Sequence, residues 1–452
     1  MKAAASLLCV LFVALSGSVR AATQVAHKAA LWSGALSNPT GETQERVIGV
    51  LRIPGASVLR IPLSGAVLGK ASKVRFVSLR DGQSQTLDAA QLAMWGNASA
   101  LFNGDAVRVE VILAPGDRDV AVRVREVFSY KAGLEPQKGT DDLAPETLCG
   151  SADERVGSND NRVGRLNGNC TGWLVSNGAV LTAGHCGIAG GNIFEVNIPA
   201  SQPNGTTTAS AVQDQFPVVG GSITLSSNGI GDDWQVFTLG PNNLNQLPHE
   251  LHGFFRMITA VPAAGATTPV TGCGVDNTPA GTNPSACANF NAAGVCTHPA
   301  PNAQNQTLQT ATGAFAALNG TTLTYSVDTE PANSGSPIIW DANGFTIGIH
   351  TAGGCTSTGG SNNGTSFSLA TLENAIAAIP GPDTRYLDTL RTPDVVEDGS
   401  IFRPHDTLAE AVAAVPVGGR ISVVRGNYAA AGTTITKAMT LSAPVGAVVF
   451  GN

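Results

Sequence analysis

Short runs in which apolar and polar residues alternate, each closed by a glycine, proline, asparagine or aspartate turn, recur along most of this 452-residue chain. Arg46-Val47-Ile48-Gly49-Val50-Leu51 and Val107-Arg108-Val109-Glu110-Val111-Ile112-Leu113 are typical. A period of two sends successive side chains to opposite faces, so these runs predict half-buried antiparallel strands. The 53 glycines and 25 prolines supply the turns between them. Hydrophobic residues, at 43%, are enough for real cores, while the 13% of charged residues is about half of the roughly 25% usual in globular proteins. The expected class is therefore all-β, and the length implies about three domains.

Three words in fixed order carry the chemistry: Thr182-Ala183-Gly184-His185-Cys186, Asp232-Asp233-Trp234-Gln235-Val236 and Asn333-Ser334-Gly335-Ser336-Pro337. A serine hydroxyl is a poor nucleophile at neutral pH. It needs an imidazole to take its proton and a buried carboxylate to hold that imidazole in one tautomer. His185 follows an alternating run, Ala179 to Ala183, that would deliver the ring at a strand end. Asp233 opens another such run, and Asp232 is its rival; strand alternation puts the two on opposite faces. Ser334 is preferred over Ser336 as the nucleophile, with Gly335 and Pro337 shaping the turn that follows it.

These words and their order resemble the chymotrypsin-fold serine proteases, in particular the bacterial glutamyl endopeptidase-like branch, from Cys149 to Ile379, about half of the chain. The resemblance implies a chymotrypsin-like double β-barrel whose first barrel carries base and acid and whose second carries the nucleophile. It also implies a serine endopeptidase acting on proteins or peptides, with no cofactor and no metal. The roles it assigns are general base for His185, orienting acid for Asp233 and nucleophile for Ser334, with the backbone N–H groups of Ser334 and Ala332 as the oxyanion hole. Glycine is the family residue where Ala332 stands; if the position needs positive φ, its Cβ costs about 1 kcal/mol. Asn333 replaces the aspartate with which digestive enzymes bind a newly cut N-terminal ammonium. Arg155-Val156-Gly157-Ser158 is a poor match to their activation word, so activation is expected not to use that ion pair.

The resemblance also implies a disulfide between Cys170 and Cys186. For the S1 pocket it points to His350, in the run Ile347 to Gly354, with hydroxyls from Thr329 and Thr351. An imidazole can donate to a carboxylate, which favours cleavage after Glu. Asp328, six residues before Ser334, argues the other way, since a carboxylate deep in S1 attracts lysine or arginine. A rival reading from another class is a catalytically weak surface or binding protein that keeps the protease scaffold, and Ala332 is its best support.

The expected organisation places a signal peptide at 1–21, an N-terminal β-sandwich or jelly-roll domain at 22–130 and a linker at 131–146. A trypsin-like serine protease domain at 147–380 follows, then a linker at 381–394 and a short parallel β-helix-like tail at 395–452. The signal rests on Lys2, the apolar stretch Ala3 to Leu15 and the small-residue pattern Val19-Arg20-Ala21, and implies a secreted protein, extracellular or periplasmic, without a transmembrane anchor. For the sandwich three roles stay open: pro-domain, binding module or plain stabilisation. An apolar-periodic stretch, Leu369 to Ile379, predicts a helix. In the tail, a helical piece around Leu408 to Val412 precedes strand-like runs at Ile421 to Val424, Thr434 to Thr436, Met439 to Leu441 and Ala447 to Phe450.

Seven cysteines remain after the signal, an odd number, so one thiol should be free or intermolecular; Cys273 with Cys296 would staple a Gly, Asn and Pro-rich loop, but sequence does not fix the pairing of Cys149, Cys273, Cys287, Cys296 and Cys355. The net charge of −7 offers no basic footprint for nucleic acid. His249-Glu250-Leu251-His252 is one residue short of the zinc word His-Glu-x-x-His and is not read as a metal site.

Overall fold

A computed structural model describes residues 24–451 apart from 131–147, 151–152, 168–169, 203–204, 276–303, 357, 382, 391–395 and 431. The expected signal peptide and first linker, and Cys287 and Cys296, lie outside the described residues.

The N-terminal module is a sandwich of two antiparallel sheets. Strands Gln44–Arg52, Ala106–Leu113, Lys73–Ser78 and Ser84–Leu87 form one; Gln24–Trp32, Ala121–Tyr130, Val58–Arg60, Phe102–Asn103 and Gly65–Val67 form the other. Alternation works as expected in Lys73–Ser78, where Val74 and Phe76 point into the core with Val109, Val111, Val122 and Val124. It breaks in Gln44–Arg52. A β-bulge between Val47 and Gly49 leaves Val47 and Val50 exposed while Leu51 stays buried. One short helix, Ala89–Met94, interrupts the strands; Asp88 caps it, accepting from the Gln91 N–H while the Gln91 side chain accepts from the Asp88 N–H.

Two further seven-stranded antiparallel sheets follow. The first runs Gln215–Pro217, Ile193–Glu195, Val163–Leu166, Cys170–Leu174, Ala179–Thr182, Asp233–Thr238 and Thr224–Ser227, and curls into a half-barrel. In the second, Gln309–Asn319 pairs with Thr322–Ser326 and closes a six-strand barrel through Thr267–Gly272, Pro337–Trp340, Phe345–Ala352 and Asn362–Ser366. This is the chymotrypsin-like double β-barrel. The predicted helix is present as Ala370–Ala377, with Leu372 and Ile376 buried against both barrels.

The tail is a parallel coil. Thr384–Leu387, in the stretch read as a linker, is its first strand and pairs with Arg420–Val423, which pairs with Thr440–Ser442; Gly426–Ala429 pairs with Val448–Gly451. Thr407 caps the helix Leu408–Ala414. Thr434 to Thr436 is not a strand: the coil turns there without a ladder partner.

Apolar clusters cross every junction. Ile193, Ala209 and Val212 of the half-barrel belong to the sandwich core. Tyr386, Ile401 and Phe402 join the cluster of Trp173, Ile349 and Phe367 between the barrels, and Val424 and Val445 join that of Phe194 and Phe237.

Candidate active site

The base is delivered by backbone geometry. Strand Ala179–Thr182 is wholly buried and runs into a single 3-10 turn, Gly184–Cys186, with His185 at its centre. Gly184 has to be glycine, because a methyl group there would lie 1.9 Å from the Ser226 carbonyl oxygen. The disulfide Cys170–Cys186 ties the turn to the neighbouring strand.

Asp233 begins the strand that pairs with Ala179–Thr182 and is fully buried. Its Oδ2 lies 2.6 Å from His185 Nδ1, and its Oδ1 accepts the His185 backbone N–H at 2.8 Å. One carboxylate thus fixes both the ring and the backbone of the same residue. The Thr365 hydroxyl brackets Asp233 from behind, donating to its carbonyl at 3.1 Å and accepting from its N–H at 3.2 Å. Asp232 faces the other way, as alternation requires, accepting from Trp234 Nε1 and Asn228 Nδ2. The Asn228 hydrogen bond holds its carboxyl below the usual range.

Ser334 Oγ lies 2.8 Å from His185 Nε2, completing a continuous line from carboxylate through imidazole to hydroxyl. The turn is clamped between the barrels: Thr171 N–H donates to the Ser334 carbonyl at 2.9 Å, Thr171 Oγ1 donates to the Ala332 carbonyl at 2.9 Å, and Gly335 N–H donates to the His350 carbonyl at 2.8 Å. Gly335 has φ +92°. A methyl there would lie 2.1 Å from the Thr171 carbonyl and 2.2 Å from Thr182 Oγ1. Ser336 is buried, its hydroxyl against Gly272 and away from the imidazole. Ala332 does adopt positive φ, +81°, in the left-handed region that disfavours a Cβ. Among the described residues its N–H has no acceptor.

The four pocket residues expected at S1 are all buried beside this turn. Asp328 is not free to receive a substrate cation: its Oδ1 accepts the Cys149 N–H and its Oδ2 the Glu154 N–H, both at 2.7 Å. A further hydrogen bond between the two carboxyl groups, with burial adding to it, pushes Glu154 up to about 7. The disulfide Cys149–Cys355 fastens the same strap to the far side of the pocket. No local spacing signals this bond, since its cysteines are 206 residues apart. His350 Nδ1 is 2.5 Å from the Tyr325 hydroxyl, a partner without a sequence signature. Thr329 Oγ1 accepts from Asn362 Nδ2 at 2.9 Å, and Thr351 Oγ1 donates to the Asn363 carbonyl at 3.5 Å.

Cys296, the partner suggested for Cys273, lies outside the described residues. Among the described residues Cys273 is a buried free thiol between the barrels, pushed up to about 12 by desolvation. Arg155 is buried in a two-point ion pair with Asp153, and Val156–Gly157 is a strand paired with Gln309–Asn319. Asn333 Oδ1 accepts the Glu330 N–H at 3.2 Å. His249 is buried in the short helix Pro248–His252, against the Ala179 carbonyl.

Residues 152–371 match the trypsin family model. They form a trypsin-like domain. The match supports a peptidase function acting on peptide substrates. Among solved structures, a Glu endopeptidase in complex with MPD is similar at 17% identity, covering 51% of this chain and 97% of that one with a TM-score of 0.36. No curated protein matches the chain significantly. Outside the trypsin-like domain as within it, no described helix is long and apolar enough to cross a membrane.

Proposed function

We propose that the protein is an exported serine endopeptidase working through His185, Asp233 and Ser334. The observation that carries this reading is the unbroken relay, 2.6 Å from Asp233 Oδ2 to His185 Nδ1 and 2.8 Å from His185 Nε2 to Ser334 Oγ. Oγ attacks the scissile carbonyl as Nε2 takes its proton. The imidazolium is stabilised by Asp233 and then protonates the leaving amine, and water reverses the sequence on the acyl-enzyme. The amides of Ser334 and Ala332 hold the oxygen that becomes negative; one such donor is worth about 100 to 1,000-fold in rate. Activation independent of a new N-terminal amine is supported by Asn333 and by the burial of Arg155.

Cleavage after Glu is the proposed preference. Asp328, the one group that argued for lysine or arginine, is engaged by two backbone N–H groups and Glu154. The Tyr325 hydroxyl reaches both His350 Nδ1 and the Asn363 carbonyl, and in the tautomer whose Nδ1 accepts from it the ring carries its proton on Nε2, a donor suited to a carboxylate.

A fluorophosphonate probe tests the first reading: Ser334 is modified, and His185→Ala abolishes the modification. Asp233→Asn should lower kcat by about 10,000-fold, because the wrong tautomer is then favoured. Absence of labelling on folded protein would instead favour the catalytically weak binding protein, for which the Ala332 Cβ at φ +81° speaks. Peptide libraries varied at P1 test the second reading, and cleavage after Lys or Arg with none after Glu would overturn it.

A further inference from the structure

We propose that the N-terminal β-sandwich is a permanent buttress of the loop behind the general base, kept by the working protein and not shed as a pro-segment. Its link to catalysis rests on the endopeptidase reading; its retention does not.

The junction has the character of a protein interior. Ile193 and Val212 of the half-barrel complete the sandwich core and are buried by it. The fully buried amide of Gln215 reads the sandwich backbone as a neighbouring strand would, accepting the Leu101 N–H at 2.8 Å and donating to the Leu101 carbonyl at 2.9 Å. Asn103 does the same in the opposite direction, with both bonds to Ala209 at 2.9 Å. Separating the modules would leave the Gln215 Oε1 and the Leu101 N–H without each other, with only the Ser210 carbonyl left to Gln215 Nε2, and bare the apolar residues around them.

The junction also holds a buried cation. Arg60 is buried, desolvation lowering its pKa, and its guanidinium donates to the Ser99 carbonyl within the sandwich and, at 2.5 Å, to the Gly191 carbonyl of the trypsin-like domain. Beside it Gly96 meets Gly191 backbone to backbone, and a methyl on Gly96 would come within 3.0 Å of the Gly191 Cα. Gly191 ends the segment that starts at His185. That segment is pinned at Cys186 by its disulfide, and at Ile188 by the Gln235 side chain, which accepts at 3.0 Å and donates at 2.5 Å. Gln235 shares a strand face with Asp233. At Gly191 the N–H donates to the Val218 carbonyl at 2.8 Å within the half-barrel, and the sandwich supplies the third pin through the carbonyl.

The test uses the full chain with the recognition site of a specific protease inserted between Lys138 and Gly139. After nicking, the two fragments should co-elute on a native sizing column and separate only in denaturant. Fluorophosphonate labelling should stay within twofold of the uncut protein. Arg60→Met, which keeps the stem and removes the donors, should lower kcat at least tenfold with KM unchanged, because the pocket belongs to the other barrel; Arg60→Lys should restore part of the loss. Fragments that separate in native buffer, with 139–452 labelling as fast as uncut protein, would overturn the proposal. If uncut protein does not label at all, the endopeptidase reading fails while co-elution still decides retention.

Discussion

Ala332, though buried, holds a left-handed backbone, φ +81°, in which a Cβ is disfavoured. The conformation costs a non-glycine residue about 1–2 kcal/mol, part of which Ala recovers by restricting the unfolded chain. Ala332→Gly should therefore stabilise the protein by roughly 0.5–1 kcal/mol in urea unfolding. Labelling of Ser334 should stay within twofold, because Thr171 and His350 already hold the loop. A large fall in labelling would mean that the methyl group itself positions the donor. His249 gives a pH-dependent counterpart. Burial pushes it down to about 4 from an ordinary 6.5, so the folded protein keeps it neutral while the unfolded chain takes up a proton. Its contribution is complete above pH 6.5 and is lost as pH falls through about 4, on the order of 3 kcal/mol in all. In His249→Gln, stability between pH 6.5 and 4 should depend less steeply on pH than in the parent; equal slopes would contradict this. The site words were legible at this scale because each functional residue sits inside a contiguous word. The role of Asp328 was not, since it depends on a strap some 180 residues away in sequence closing over it.

Gly335 and Gly344 separate two reasons for glycine in strand-joining turns. Both have positive φ, +92° and +72°, but Gly344 has open space where Gly335 faces the Thr171 carbonyl and Thr182 Oγ1. Gly344→Ala should cost only the backbone term, about 1 kcal/mol. Gly335→Ala must also push strand Cys170–Leu174 from the nucleophile turn and should cost about 3 kcal/mol or more, with loss of labelling. Equal costs in thermal or urea unfolding would show that the inter-barrel contact yields easily. Alternation reads a strand most directly where one face is buried, as in Lys73–Ser78, and less directly in barrel strands buried on both faces, such as Ala179–Thr182. It misled where an extra residue enters the ladder, at Val47, and where a β-rich run has no neighbour to pair with, at Thr434 to Thr436. The helix Ala89–Met94 went unread because six residues hold too little periodicity, although Asp88 and Gln91 spell its capping box.

Across the whole molecule, modules that sequence divides by linkers share their cores. Proteins of this length ordinarily unfold domain by domain, and a single free energy then has no meaning. Here Ile193 and Val212 lie in the sandwich cluster, Phe402 and Tyr386 lie in the cluster between the barrels, and Val424 and Val445 lie in that of the half-barrel. The Arg256–Asp388 ion pair, 2.5 Å from Nε to Oδ2 and largely buried, adds a polar tie between the trypsin-like domain and the tail. Unfolding any one module strips apolar cover from its neighbour, so the losses are coupled. Calorimetry of the full chain should give one endotherm. If the sandwich, about 100 residues, melted alone, it would give a separate transition of about 60–80 kcal/mol, too large to miss. Asp388→Ala should lower the temperature of that single endotherm without splitting it, because the apolar clusters keep the modules joined when the ion pair is gone. A split confined to this variant would mean that the tail is held mainly by charge.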